Sequence, residues 1–318
     1  MSELTALVLT GPTGSGKSAW AWRLAQQLPV EIISVDSAQV YRGMDIGTAK
    51  PDAATRARVP HHLLDIRDAA ECYSAGDFVR DARAAMQEIH GRGRLPLLVG
   101  GTMLYLRALM RGMAELPGAS PALRAELEAQ AASQGWPALH TELARVDAAA
   151  AARIHPLDAQ RIQRALEVFR LTGRAISEWQ SATRAPIEGV RWLRFALVPG
   201  DRVGLRRTLQ ERFASMLEAG LLAEVTALYR RPDLHAELPS MRSVGYRQLW
   251  AHCTGQWSLE EASRRAITAT CQLAKRQLTW LRGENGFERL DPGDESALQR
   301  ILAAVPAAAV HDGGRGQW

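Results

Sequence analysis

Short, unbroken apolar runs punctuate the chain, separated by stretches in which apolar residues return every three or four positions. That is the pattern of buried parallel strands alternating with helices. Leu7-Val8-Leu9, Val30-Glu31-Ile32-Ile33-Ser34-Val35, Leu95-Pro96-Leu97-Leu98-Val99 and Trp192-Leu193-Arg194-Phe195-Ala196-Leu197-Val198 are the strand-like runs. The spacing predicts a helix from Lys17 to Gln27, with Ala19, Leu24 and Leu28 inward and Pro29 closing it. It predicts a second helix opened by Ser74-Ala75-Gly76-Asp77 and ended by Gly91, and a third from Leu205 with Leu209, Phe213, Met216, Leu217 and Leu221 at helical spacing. A long last helix starts at the capping box Ser258-Leu259-Glu260-Glu261, runs to Arg282 and stops at Gly283. After the breaker cluster Pro117-Gly118-Ala119-Ser120-Pro121 the strand-like runs vanish, and the texture is Ala-, Arg- and Glu-rich up to about Glu188. The expected architecture is α/β: a parallel sheet flanked by helices, formed by residues 1–118 and 189–302, with an all-helical insertion at 119–188 and a disordered tail at 303–318.

The first run breaks into Gly11-Pro12-Thr13-Gly14-Ser15-Gly16-Lys17-Ser18, which fits the phosphate-loop pattern at every fixed position. Glycines let several N–H groups point at one anion, and the following helix adds its positive end. Lys17 is placed to reach terminal phosphoryl oxygens and the Ser18 hydroxyl to hold a magnesium ion, so the sheet is expected to be of the P-loop NTPase-like kind. A Gly-rich turn alone would explain the glycines but not Lys-Ser. Asp36 follows the second strand, where residues face the ligand crevice of an open α/β sheet. It is also suited to cap the next turn, yet a carboxylate beside phosphates is repelled unless it holds a metal or takes a proton. Asp45-Ile46-Gly47-Thr48-Ala49-Lys50-Pro51 reads as a loop, either a cover for the crevice or a surface turn. His61 and His62 are adjacent, cannot both aim at one metal, and read as surface or hydrogen-bonded histidines. The third strand ends in Gly100-Gly101-Thr102, where many nucleotide hydrolases carry an acidic magnesium ligand; this weakens motor and switch readings.

Composition narrows the setting. The 318 residues have no 18-residue apolar run and no charged-then-apolar leader, so a soluble protein outside the membrane is expected; three scattered cysteines suit a reducing cytoplasm. The net charge is +5, and the stretch from Arg191 to Leu290 holds sixteen basic against ten acidic residues, which points to a polyanionic partner. Only Lys17, Lys50 and Lys275 are lysines among 39 basic residues. Arg161 and Arg164 share a helix face with Gln160 and Gln163 beside them, either solvated surface or an RNA contact. On the last long helix Arg264, Lys275 and Arg282 fall on nearly one line, preceded by Arg242 and Arg247 with Tyr246 available for stacking.

Taken together and in order, the phosphate loop, Asp36-Ser37-Ala38-Gln39-Val40-Tyr41, the Asp45–Pro51 loop, Gly100-Gly101-Thr102, Arg242-Ser243-Val244-Gly245-Tyr246-Arg247 and Lys275-Arg276-Gln277-Leu278-Thr279-Trp280-Leu281-Arg282 resemble the bacterial tRNA dimethylallyltransferase (tRNA isopentenyltransferase) family, up to about Leu290. Gly14 departs from the alanine usual there. The resemblance implies transfer of a dimethylallyl group from its diphosphate to N6 of the adenosine 3′ of the anticodon in tRNA. Magnesium is the implied cofactor, and the implied state is a cytoplasmic monomer. It implies Asp36 as the base, Lys17 and Arg212 as diphosphate partners, and Thr102 as a hydrogen-bonding partner of the target base. Implied tRNA contacts are Asp36 to Gln39, Thr102, Arg124, Gln160-Arg161-Ile162-Gln163-Arg164, Arg242 to Arg247 and Lys275 to Arg282. The residues by themselves leave two alternatives: a P-loop small-molecule kinase with ATP on the loop, and a nucleotide-gated RNA-binding module without turnover.

Overall fold

The computed structural model describes residues 3–114, 116–181 and 189–307. In chain order the elements begin with β1 (Leu4–Thr10), α1 (Lys17–Ala25), β2 (Val30–Val35), α2 (Ala53–Arg58), β3 (His61–His62), α3 (Ala75–Gly91), β4 (Leu95–Gly100) and α4 (Met103–Arg111). Five helices follow: α5 (Pro121–Gln134), α6 (Trp136–Val146), α7 (Ala148–Ala151), α8 (Ala159–Thr172) and α9 (Ile176–Ser181). The chain then makes β5 (Val190–Leu197), α10 (Arg202–Glu218), α11 (Leu221–Tyr229), α12 (Tyr246–Cys253), α13 (Leu259–Gly283), β6 (Glu288–Leu290) and α14 (Ser296–Ala304).

The chain divides into two compact units, residues 1–106 with 189–318 and residues 107–188. The first is built on one six-stranded sheet in the order β3-β2-β4-β1-β5-β6, every pairing parallel. Parallel strands buried on both faces need continuous apolar runs, and β1, β2 and β4 supply them: Leu7, Val8, Leu9, Ile33, Leu97 and Leu98 are wholly buried. All strands point their carboxyl ends the same way, so the loops after β1, β2 and β4 gather at one edge. The second unit contains only helices among its described residues, packed on Leu127, Leu139, Leu143, Ile162, Leu166 and Val168. Its start, after Leu106, precedes the breaker cluster at Pro117, because the second half of α4 groups with the helical unit. The stretch 182–188, expected to end the insertion, lies outside the described residues.

Several local expectations need correction. In α1 the inward residues are Trp20, Ala21 and Leu24, while Ala19 is exposed. The helix that follows Ser74 has its full capping box, Ser74 and Asp77 each bonding the other's backbone N–H. On α13 only half of the expected box forms: Ser258 accepts from the Glu261 N–H, but the Glu261 carboxylate is taken by Arg264 and Arg265. Residues 303–307 are not part of a disordered tail, since Ala303 and Ala304 finish α14 and Ala304 and Val305 pack against the sheet's core; 308–318 lie outside the described residues. His61 and His62 form the short edge strand β3, bonded to the Val59 carbonyl and to Glu31. No helix among the described residues is long and apolar enough to cross a membrane.

Candidate functional site

The gathered loops of the first unit open into a cleft of about 920 Å³, lined by the phosphate loop, Asp36 to Gln39, Gly47 to Ala49, Gly100 to Leu104, and side chains of α10 and α13. Gly14 and Gly16 both have φ of +80°, which turns the loop back into α1. An alanine at position 14 would be strained there and would press a methyl against Leu209, so the glycine is matched to this packing. The Ser15 hydroxyl is buried in the loop without a partner. Lys17 Nζ donates to the Gly11 and Pro12 carbonyls at 3.0 and 2.7 Å. Desolvation first, and then repulsion from Arg212, lower its pKa to about 8 against the opposing pull of Asp36. Burial likewise lowers the pKa of Arg212, again against the pull of Asp36. One carboxylate therefore faces two desolvated cations in a single cleft.

Asp36 does cap its own turn: Oδ1 accepts from the N–H groups of Ala38 and Gln39 at 2.8 and 3.3 Å. Those bonds fix the carboxylate at the cleft and occupy one of its oxygens. Thr102 Oγ1 accepts from the Ser37 N–H at 3.1 Å, which ties the loop after β4 to the loop after β2. Ser37 is exposed and Ala38 half-buried. Gln39 is spent inside the protein, bonded to Ser34 and to the carbonyls of Thr48 and Ala49.

The Asp45–Pro51 loop forms a wall of the cleft with its own anchors. The Lys50 side chain is wholly buried and bridges the Tyr41 carbonyl, Asp45 and Asp65, so this lysine is a structural tie. The Glu224 carboxylate of α11 accepts from the N–H groups of Asp45, Ile46 and Gly47 at 2.9, 2.8 and 3.2 Å and from the Tyr246 hydroxyl. Sequence reading missed Glu224, since nothing near it in the chain marks its role. Tyr246 is corrected: it is fully buried, packs over the Gly47 backbone and is not available to stack on a base. Burial first, and then the Glu224 charge, raise its pKa. Gly245 is buried too, while Arg242 and Arg247 are exposed and Ser243 and Val244 half-buried; Arg242, Ser243 and Val244 line the cleft.

On α13, Lys275, Arg276, Thr279 and Arg282 are exposed, whereas Leu281 is buried and Leu278 packs on Leu205 and Leu209. Arg276 and Trp280 line the cleft. Gln277 departs from the expected RNA face: it is buried and bonded to the phosphate loop and to Gly101. In the helical unit Gln160 and Arg161 are exposed, but Ile162 is a core residue with no side chain to offer RNA. Gln163 bonds Glu128 and the Arg124 carbonyl. Arg124 and Arg164 both bind the buried Glu167, which also accepts from the Ser120 N–H. Desolvation pushes the Glu167 pKa up, but these bonds outweigh it and hold the carboxyl below its ordinary range.

The cleft fits an anion of phosphate type, with a glycine-bent loop, a buried unpartnered hydroxyl and two cations. For magnesium the fit is that of a shared site. No group of three or more His, Cys, Asp or Glu among the described residues gathers to hold a metal. The exposed Ser18 hydroxyl at the cleft floor suits an ion that takes the rest of its oxygens from substrate and water.

Fold and site together define a phosphate-loop enzyme of the transferase class. The chain belongs to the IPP transferase family, whose model matches residues 39–284. It is 55% identical over 313 residues to the tRNA dimethylallyltransferase of Bordetella avium, covering 98% of this chain and 97% of that one. The enzyme of the same name from Alkalilimnicola ehrlichii is 59% identical over 282 residues, 88% of each chain. Among solved structures, the tRNA isopentenylpyrophosphate transferase of Bacillus halodurans aligns at 38% identity with a TM-score of 0.68, covering 95% of this chain and 94% of that one. A eukaryotic dimethylallyltransferase acting on tRNA aligns at 29% identity and a TM-score of 0.77, over 94% and 78% of the two chains.

Proposed function

We propose that the cleft transfers a dimethylallyl group from dimethylallyl diphosphate to N6 of the adenosine 3′ of the anticodon in tRNA. The bond from the allylic carbon to the bridging oxygen breaks, a carbon–nitrogen bond forms, the N6 proton passes to Asp36, and diphosphate leaves. An adenine amino group is a weak nucleophile because its lone pair is delocalised into the ring, so the carbon must be made strongly electrophilic. Loop N–H groups, Lys17 and Arg212 stabilise the charge that grows on the leaving group. Magnesium, with Ser18 as its protein ligand, would supply further charge neutralisation there. Phe213, Met216, Leu273 and Trp280 give the cleft an apolar side on which a five-carbon chain can rest. A base must leave its stack to enter a crevice at strand ends.

The observation that carries this reading is the convergence of Asp36 with Lys17 and Arg212, a proton acceptor held beside two cations. The test incubates the protein with dimethylallyl diphosphate, magnesium and unmodified tRNA, then digests the tRNA for mass spectrometry of its nucleosides. An adenosine heavier by one dimethylallyl group is expected, with no ATP required. Asp36→Asn should lower kcat by roughly 10²- to 10⁴-fold with tRNA binding kept. ATP consumption matched to phosphorylation of an acceptor would replace this reading with a kinase.

A further inference from the structure

Gln277 sits on the helix that presents Lys275 and Arg282 to solvent, yet it turns inward and is only 8% exposed. Its Oε1 accepts from the Thr13 N–H of the phosphate loop at 2.8 Å, and its Nε2 donates to the Gly101 carbonyl at 2.9 Å. One planar amide thus bonds two loops that leave neighbouring strands, β1 and β4. The fit is close: a side chain at Gly101 would collide with Gln277 Nε2. The next residue, Thr102, bonds the Ser37 N–H beside Asp36. The path from the donor loop to the proton acceptor therefore runs through Gln277, Gly101, Thr102 and Ser37.

We propose that Gln277 is a positioning residue that locks the phosphate loop and the Gly100–Thr102 turn in one frame, so that the diphosphate of the donor is held in register with the incoming adenine. This role rests on the activity proposed above. It needs an acceptor and a donor on the same planar group. Glutamine has both, leucine has neither, and a glutamate has both only while its carboxyl is protonated.

The test uses the full chain with Gln277→Leu and Gln277→Glu, measuring steady-state kinetics from about pH 6 to 8, tRNA binding on filters and thermal melting. Leaving the half-buried Thr13 N–H and Gly101 carbonyl without the amide that joins them, Gln277→Leu should raise KM for dimethylallyl diphosphate and lower kcat, each by roughly 5- to 50-fold, with tRNA affinity kept within about 2-fold. For Gln277→Glu, kcat/KM divided by that of the unaltered protein should climb several-fold as pH falls and the carboxyl takes a proton. The same ratio for Gln277→Leu should stay flat. Taking ratios cancels the titrations of Lys17, Asp36 and other cleft groups common to all three proteins. Loss of tRNA affinity with an unchanged donor KM would overturn the proposal and make Gln277 an RNA contact. A flat ratio for Gln277→Glu, with activity lost only in proportion to the unfolded fraction, would reduce the residue to a structural tie. If the unaltered protein forms no prenylated nucleoside, the activity itself fails, and this role falls with it.

Discussion

Lys17 carries a charge that the protein does little to solvate. Two loop carbonyls accept from it, but burial and Arg212 together bring its pKa down from 10.5 to about 8. The ammonium is held at a cost that a bound anion would relieve, because the anion supplies the missing countercharge. Below about pH 8 the lysine is charged and can capture the donor; above it the free enzyme loses that charge. The kcat/KM for dimethylallyl diphosphate should therefore fall on the alkaline side with an apparent pKa about 8, and Lys17→Arg should remove that limb, since guanidinium stays protonated. A pH profile of both proteins checks this. Linkage gives the opposite sign for the ligand-free fold: the unfolded lysine binds the extra proton between pH 8 and 10.5, so this group adds stability as pH rises through that window. The phosphate loop was legible because its glycines and Lys-Ser have fixed offsets. What sequence could not show is that Lys17 rests on its own loop's carbonyls, or that Gly14, at a positive φ, lies against the Leu209 side chain.

Among the elements, the segment from Asp45 to Pro51 shows how a wall of the cleft is fixed from a distance. Glu224 takes three backbone N–H groups and the Tyr246 hydroxyl, an arrangement that only a carboxylate, accepting at both oxygens, completes. Glu224→Gln would put an amide N–H against donors. Hydrogen bonds to charged groups contribute about 1.5–3 kcal/mol, so exchange of the Asp45, Ile46 and Gly47 amides should speed up by roughly 10- to 100-fold. Hydrogen exchange read by mass spectrometry over residues 44–50 checks it, and unaltered protection would show that the Lys50 and Gln39 bonds hold the loop without Glu224. β1, β2, β4 and β5 were legible, since a buried parallel strand advertises itself within six residues, whereas the two- and three-residue edge strands β3 and β6 carry too short a run to be read. The backbone partners of Glu224 and Gln277 were not, because each of those bonds joins positions more than 170 residues apart that no local pattern relates. Helical spacing correctly put Lys275 and Arg282 on an exposed face, but it could not tell that Tyr246 and Ile162 point into the core.

For the molecule as a whole, part of the basic excess between Arg191 and Leu290 stays exposed on α13, at Lys275, Arg276 and Arg282. Arg264 is already paired with Glu261, which leaves Lys275 and Arg282 as the better phosphate partners on that line. Replacing both with alanine should weaken tRNA binding and flatten its log-log salt dependence by about 0.7 to 0.9 per lost contact. Filter binding across a salt series measures the slope, and an unchanged slope would place the RNA elsewhere. The strand order carries a different consequence, for how the chain is made. β1, which leads into the phosphate loop, pairs with β4 on one side and with β5, from Val190, on the other. During synthesis the whole helical unit of 107–188 emerges before β5 exists, so a core strand keeps an open edge while a separate compact body is already able to close. The amide that braces the phosphate loop arrives later still, at residue 277. The phosphate loop is thus made long before the strand and the amide that complete its setting, and a nascent chain halted near residue 188 would expose a sticky β1 edge rather than a working half-enzyme.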